Sequence, residues 1–235
     1  MVLVRTRNPL NIGVAARAMS NFGFHDLRLV APYDPSFREA KSAVGALPLL
    51  AEAREFPSVA EAVADCGLVV GTTAAARREL QHPLKRLDEA AKTIRKKTST
   101  GRVALLFGSE KRGLSNEDFS HCHWLLRIPT EEEHESMNLG QAVAVCLYEL
   151  RSMHPPSKRA GKLDRERGKP ATSAELERLT TLLVDALRES GYLDRVSSAA
   201  ADEKVRRMVR RLDLSGADAA TLVGMLRQIA WKMKQ

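Results

Sequence analysis

"VALLFGSEKRGLSNED", residues 103–118, runs from a continuous apolar segment into a polar turn bracketed by Gly108 and Gly113. An unbroken apolar run of this kind suits a strand buried on both faces of a parallel sheet. The two glycines stand at the spacing of a Walker-type phosphate loop, which needs Lys and then Ser/Thr directly after the second glycine. Leu114 takes the lysine's place, and Glu110 would direct negative charge into the phosphates. The loop is not a triphosphate cradle, and its purpose has to be read from what surrounds it.

Working outward, strands and helices alternate on both sides. "VLV" at 2–4 opens as a strand, and "NIGVAARAMSNFGF" at 11–24 has helical spacing with Gly23 as its C-cap. "LRLV" at 27–30, "LVVGTT" at 68–73 and "WLLRIP" at 124–129 read as further strands. "SVAEAVADCG" at 58–67, with a Ser58…Glu61 capping box, "LDEAAKTIRKK" at 87–97 and "NLGQAVAVCLYELR" at 138–151 read as helices. This rhythm predicts an α/β fold, a parallel sheet with helices on both faces.

Beyond residue 153 the composition changes. Residues 154–172 are rich in Pro, Gly and charge and read as a basic linker, while 173–235 carry three helical patterns. The expected organisation is therefore a sheet domain over 1–153, the linker, and a small all-α domain over 173–235. The segment Lys158–Lys169 holds six basic residues against two acidic ones, and Arg206, Arg207, Arg210 and Arg211 crowd one short helix. Both features are expected to meet the phosphates of a nucleic acid.

The net charge of +8, with a sequence pI near 9.6, favours a polyanionic partner. No apolar run approaches the ~20 residues of a membrane span, and the start is too quickly interrupted for a secretory signal. Three scattered cysteines make neither a disulfide framework nor a CxxC pair, so the chain reads as cytoplasmic. "HESMN" at 134–138 begins like a zinc-protease helix but ends on Asn138. "HCH" at 121–123 puts three ligands on adjacent residues, where they cannot easily converge on one ion. No G-x-G-x-x-G follows the first strand, which disfavours a dinucleotide site.

Three strands run into small, polar or glycine-containing loops: "GTTAA" at 71–75, "GSEKRG" at 108–113 and "IPTEEEHESMN" at 128–138. Ligands of open parallel sheets bind at the carboxyl ends of strands, so these loops can meet around one pocket. Here the sequence resembles a known family. "NPLNIGVAARAMSNFGF", "LLFGSEKRGLSNED" and "IPTEEEHESMNLGQAVAV" look like the three signature motifs of the SpoU/TrmH family of SPOUT-class RNA 2′-O-methyltransferases, in the family's order. The helical tail is most similar to its TrmJ-type branch.

The resemblance implies S-adenosyl-L-methionine (AdoMet) as methyl donor with no metal, and a deep trefoil knot at the C-terminal end of the sheet domain. It further implies a homodimer whose active sites are completed across the interface, and tRNA as substrate at anticodon-loop nucleotide 32, cytidine or uridine. Ribosomal RNA methylation, or a non-catalytic RNA-binding module, are the alternatives. By motif position, Thr72, Thr73, Ala74, Gly108, Ile128, Ser136, Met137, Asn138 and Leu139 should hold the cofactor. Asn11, Arg17, Glu110, Ser136 and Asn138 should form the catalytic set. A guanidinium is effectively never deprotonated in proteins, so Arg17 is better cast as gripping phosphate and stabilising the developing alkoxide than as a literal base. Plainer roles stand beside these: Arg17 as a solvated surface residue, Glu110 in a loop salt bridge, and Asn138 as a helix N-cap.

Overall fold

The computed structural model describes residues 1–33, 37–38, 40–74, 81–151, 169–193 and 198–233. The basic linker lies almost wholly outside them. Seven strands form one sheet: β1 (Val2–Val4), β2 (Arg28–Val30), β3 (Arg54–Phe56), β4 (Leu68–Thr72), β5 (Leu84–Arg86), β6 (Val103–Phe107) and β7 (Trp124–Arg127). Their spatial order is β3-β2-β1-β6-β4-β7-β5, and every neighbouring pair is parallel. β6, the "VALLF" of the opening stretch, lies between β1 and β4 with Ala104 to Phe107 buried.

The helices are α1 (Pro9–Phe22), α2 (Leu47–Ala51), α3 (Val59–Ala62), α4 (Leu87–Thr98), α5 (Asn116–Ser120) and α6 (Leu139–Arg151), then α7 (Ser173–Glu189), α8 (Ser198–Arg211) and α9 (Gly216–Met233). Alternation along each strand sorts the core into two layers. Leu3, Val70, Leu105, Phe107 and Leu126 face α1, α4 and α6, while Val4, Val69, Leu106 and Leu125 face α3 and α5. α1 starts at Asn8, whose side chain accepts from the Leu10 N–H, and stops at Gly23 in the left-handed region at φ 73°.

Two strands escape the sequence pattern, β3 and β5. Both are three residues long, carry charge and sit at the sheet's two edges, where exposed charge blunts unwanted pairing. The helix expected over 58–67 shrinks to Val59–Ala62. Only half of its capping box forms: Ser58 accepts from the Glu61 N–H, but the Glu61 carboxylate turns to the Ser58 hydroxyl at 3.0 Å. Beyond it, the Ala64 and Cys66 carbonyls accept from the N–H groups of Ala174 and Ser173, so the tail caps this segment.

The tail helices enclose a core of their own, with Leu176, Leu179, Val184, Val205, Val209 and Ala219 buried. The Thr172…Glu175 capping box forms in both directions. Two of the four arginines expected to meet phosphate have partners within the chain. Arg210 is only 2% exposed and donates to Glu177 at 3.1 Å and to the Ser173 carbonyl at 3.2 Å. Arg206 reaches Glu177 at 3.0 Å and the Ser120 hydroxyl on α5 at 3.1 Å. The anion that offsets this arginine pair is Glu177, within the chain.

"HCH" resolves into separate roles. The His123 ring accepts the Val69 N–H at Nδ1, at 3.1 Å, and burial pushes its pKa down to about 3. No group of three or more metal-ligating side chains occurs among the described residues. An unfolded histidine titrates near 6.5, so on acidification the unfolded chain binds a proton that the native ring refuses. Stability contributed by His123 is therefore present above pH 6.5 and declines as pH falls, by up to about 1.4 kcal/mol per pH unit. Urea midpoints at pH 7.5 and 5.5 should show the lower value at 5.5, and a midpoint higher at 5.5 would refute this.

Candidate active site

At the carboxyl end of the sheet, the loops after β4, β6 and β7 close around a cleft of about 560 Å³. Thr72, Thr73 and Ala74 line it from the first loop, Gly108 to Gly113 from the second, and Ile128 with Glu135 to Asn138 from the third; Leu139 follows at the start of α6. Every residue expected to hold the cofactor is there, together with Asn11, Glu110, Ser136 and Asn138 of the catalytic set. Arg17 is not: it is exposed on α1, away from the lining.

The three motifs meet in one hydrogen-bonded chain. Glu110 accepts from the Asn11 amide at 2.8 Å and from the N–H groups of Arg7 and Asn8 at 3.1 and 3.3 Å. Asn11 in turn accepts from the Asn138 amide at 3.3 Å, and the Asn138 oxygen accepts the Gly140 N–H at 2.9 Å. Asn138 thus opens α6 and joins the cleft at once. Glu110 uses its oxygens on the first motif rather than in a salt bridge with Lys111 or Arg112. Burial pushes its pKa up, yet the Asn11 amide and the backbone N–H groups of Glu110, Arg7 and Asn8 outweigh this and hold it below the ordinary carboxylate value.

The cleft walls are fixed from behind. Thr72 donates its hydroxyl to the Leu106 carbonyl at 2.9 Å, and the Thr73 N–H reaches the Leu126 carbonyl at 3.0 Å. In the second loop the Gly113 N–H returns to the Ser109 carbonyl at 2.8 Å. A Cβ added at Gly108 would lie 2.0 Å from the Gly113 carbonyl carbon and 2.2 Å from the Leu114 nitrogen. Glycine is therefore required here by the loop's own backbone, which occupies the space that a side chain would need. After the loop, Ser115 and Asp118 form a reciprocal capping box on α5, and Asp118 is ion-paired with Arg5 at the end of β1.

Sequence reading missed the cleft's apolar floor, Phe107, Leu114, Phe119, Leu126 and Ala142. Phe107 and Leu126 lie at the ends of β6 and β7, where the strand-end rule could have found them; Phe119 and Ala142 carry no signal beyond helical spacing.

A profile of the SpoU rRNA Methylase family matches residues 1–148. The tRNA (cytidine/uridine-2′-O-)-methyltransferase TrmJ of Sodalis glossinidius is 32% identical over 235 residues, covering 100% of this chain and 92% of that protein. The tRNA (cytidine/uridine/adenosine-2′-O-)-methyltransferase TrmJ of Pseudomonas aeruginosa is 35% identical, over 96% of this chain and 91% of its own. The crystal structure of TrmJ from Z. mobilis ZM4 superposes with a TM-score of 0.85 at 35% identity, covering 97% of both chains. The family match spans all three loops of the cleft and the Glu110–Asn11–Asn138 chain that ties them together, so this chain belongs to the SpoU methylase family.

Proposed function

We propose that the protein is a cytoplasmic, AdoMet-dependent tRNA 2′-O-methyltransferase of the TrmJ type, acting on the ribose of anticodon-loop nucleotide 32. The observation that carries the reading is the Glu110–Asn11–Asn138 chain at the mouth of a cleft lined by all three motifs. Similarity to the TrmJ proteins over nearly the whole length, tail included, favours tRNA over ribosomal RNA. A non-catalytic module would have no use for this polar set.

The cleft fits the cofactor. Its volume falls within the ~300–1,000 Å³ of small-molecule sites, and Leu126, Ile128, Met137 and Leu139 supply apolar walls beside backbone polar groups. AdoMet, when bound, supplies an electrophilic methyl group on a sulfonium sulfur. The protein's share is positioning, which can contribute ~7–11 kcal/mol to such a displacement. Ser136 and Asn138 orient the ribose hydroxyl, Glu110 holds Asn11 and Asn138 in place, and the hydroxyl proton passes to phosphate or water. Arg17 arrives from a partner subunit. Supporting a homodimer, Leu10 and Val14 lie exposed in line with Arg17 on α1, and Val44, Leu47 and Tyr148 are also exposed. A trefoil knot belongs to the same reading, and so does a division into a methyltransferase domain over 1–153, a linker over 154–172 and a helical domain over 173–235. The division is supported by a family match confined to 1–148 and by the separate core of the tail helices.

Mass spectrometry of tRNA nucleosides from a deletion strain tests the reading: one 2′-O-methylated nucleoside should vanish at position 32 and return with the gene. Undiminished methylation would overturn it. Gly108→Ala, by forcing the second loop open, should weaken AdoMet binding at least ~10-fold, or ~1.4 kcal/mol. Calorimetry on a variant with a native unfolding midpoint checks this, and unchanged affinity would remove that loop from the cofactor site.

A further inference from the structure

Arg206 and Arg210 face Glu177, but Arg207 and Arg211 are turned by about 100° from them on α8. Arg207, with 13% of its side chain exposed, has Glu203 of its own helix, at 3.6 Å, as its one ion-pair partner among the described residues. Arg211 is exposed with no ion-pair partner among the described residues. Their positive field reaches His82, whose ring packs 6.2 Å from Phe119; burial, then Arg207 and Arg211, push its pKa down to about 4. From His82 the chain enters β5 within two residues, and Arg86 lies about 13 Å further along at strand rise.

Arg86 is in register with Arg127 of the neighbouring strand, so both side chains leave the same face of the sheet. It is the α5 face, because Leu125, two residues before Arg127, packs with Phe119. Two guanidinium groups on adjacent strands repel and cost stability unless an anion lies between them. Arg86 has only the exposed Asp88, at 3.3 Å, and half-buried Arg127 has no hydrogen-bond or ion-pair partner among the described residues. The next residue after Arg127 is Ile128, which lines the cleft.

We propose that Arg211, Arg207, Arg86 and Arg127 form a phosphate track, along which an RNA sugar–phosphate backbone runs from the tail helix α8 to the mouth of the cleft. The inference rests on the tRNA methyltransferase reading and adds where the strand lies. Contacts of this kind fix register and orientation without reading bases. They also explain why Arg206 and Arg210 are neutralised internally by Glu177 while Arg211 is left exposed for a ligand.

The test is binding of unmodified tRNA to the full-length protein across a series of salt concentrations. The double variants R86Q/R127Q and R207Q/R211Q are compared with Lys92→Gln, an exposed change on α4 against the opposite face. Each phosphate deprived of its arginine should lower the slope of log affinity against log salt by roughly 0.7–0.9. AdoMet affinity should stay at the wild-type value, and KM for tRNA should rise more than kcat falls. Should R207Q/R211Q fail to fold, R86Q/R127Q carries the test, since removing like charges there should not destabilise. Wild-type slopes in the folded double variants would overturn the track while leaving the enzyme's identity intact. Absence of tRNA methylation by the wild-type protein would instead overturn the reading on which the track rests.

Discussion

Arg17→Ala should slow single-turnover methyl transfer by ~10²–10³-fold, a transition-state loss of about 2.7–4 kcal/mol, with AdoMet affinity unchanged. The two readouts separate because Arg17 does not line its own cleft. It is exposed on α1 in line with Leu10 and Val14, as the proposed homodimer, in which it serves the partner's site, requires. That geometry has a sharper consequence than a simple loss of rate. Arg17→Ala and Glu110→Ala chains should each be inactive alone, yet mixing them and allowing subunit exchange should restore activity, because the heterodimer contains one site with an intact cleft and a partner's Arg17. No recovery on mixing would place Arg17 in its own subunit's site. A single-turnover rate within a few-fold of wild type would remove it from the active site altogether.

Glu177→Ala should cost about 3–5 kcal/mol of stability, the range expected when one member of a buried charge cluster is removed. Glu177 accepts from Arg206 and Arg210 together, and Arg210 is almost fully buried. Burial already pushes the Arg210 pKa down to about 10 even with Glu177 opposing the shift. Without the carboxylate, two guanidinium groups would face each other in a poorly solvated seam. Replacing Arg210 by Met in the same background should recover part of the loss, because an apolar side chain needs no partner there. Urea unfolding of the full chain reads both effects. A loss below ~1 kcal/mol for Glu177→Ala would mean the cluster behaves as an ordinary surface pair.

The parts of the fold that could be read from the chain were those specified locally. "VALLF" announced a buried parallel strand, Gly23 ended α1, and Thr172 with Glu175 capped α7. The cleft residues were found because motif and strand-end position agreed. What stayed hidden depends on residues distant in sequence. β3 and β5 are three-residue charged segments that become strands only beside β2 and β7. Spacing made Arg206 and Arg210 neighbours but could not reveal Glu177, about thirty residues earlier, waiting opposite them. Gly108 was singled out by its motif position, yet the atoms that forbid a side chain there belong to Gly113 and Leu114 of the same loop.

α5 serves two masters. Its N-terminal cap holds the end of the cleft loop, and its last residue, Ser120, accepts from Arg206 of the tail. The tail also meets the sheet region through Ser173 and Ala174, which bond the Cys66 and Ala64 carbonyls, and through the Lys97–Asp213 ion pair. None of these attachments uses the peptide connection between residues 152 and 168. A chain supplied as two pieces, broken within that interval, should therefore reassociate into a split enzyme. Its reconstitution would depend on the concentration of the added piece, much as a dissociable regulatory subunit's would.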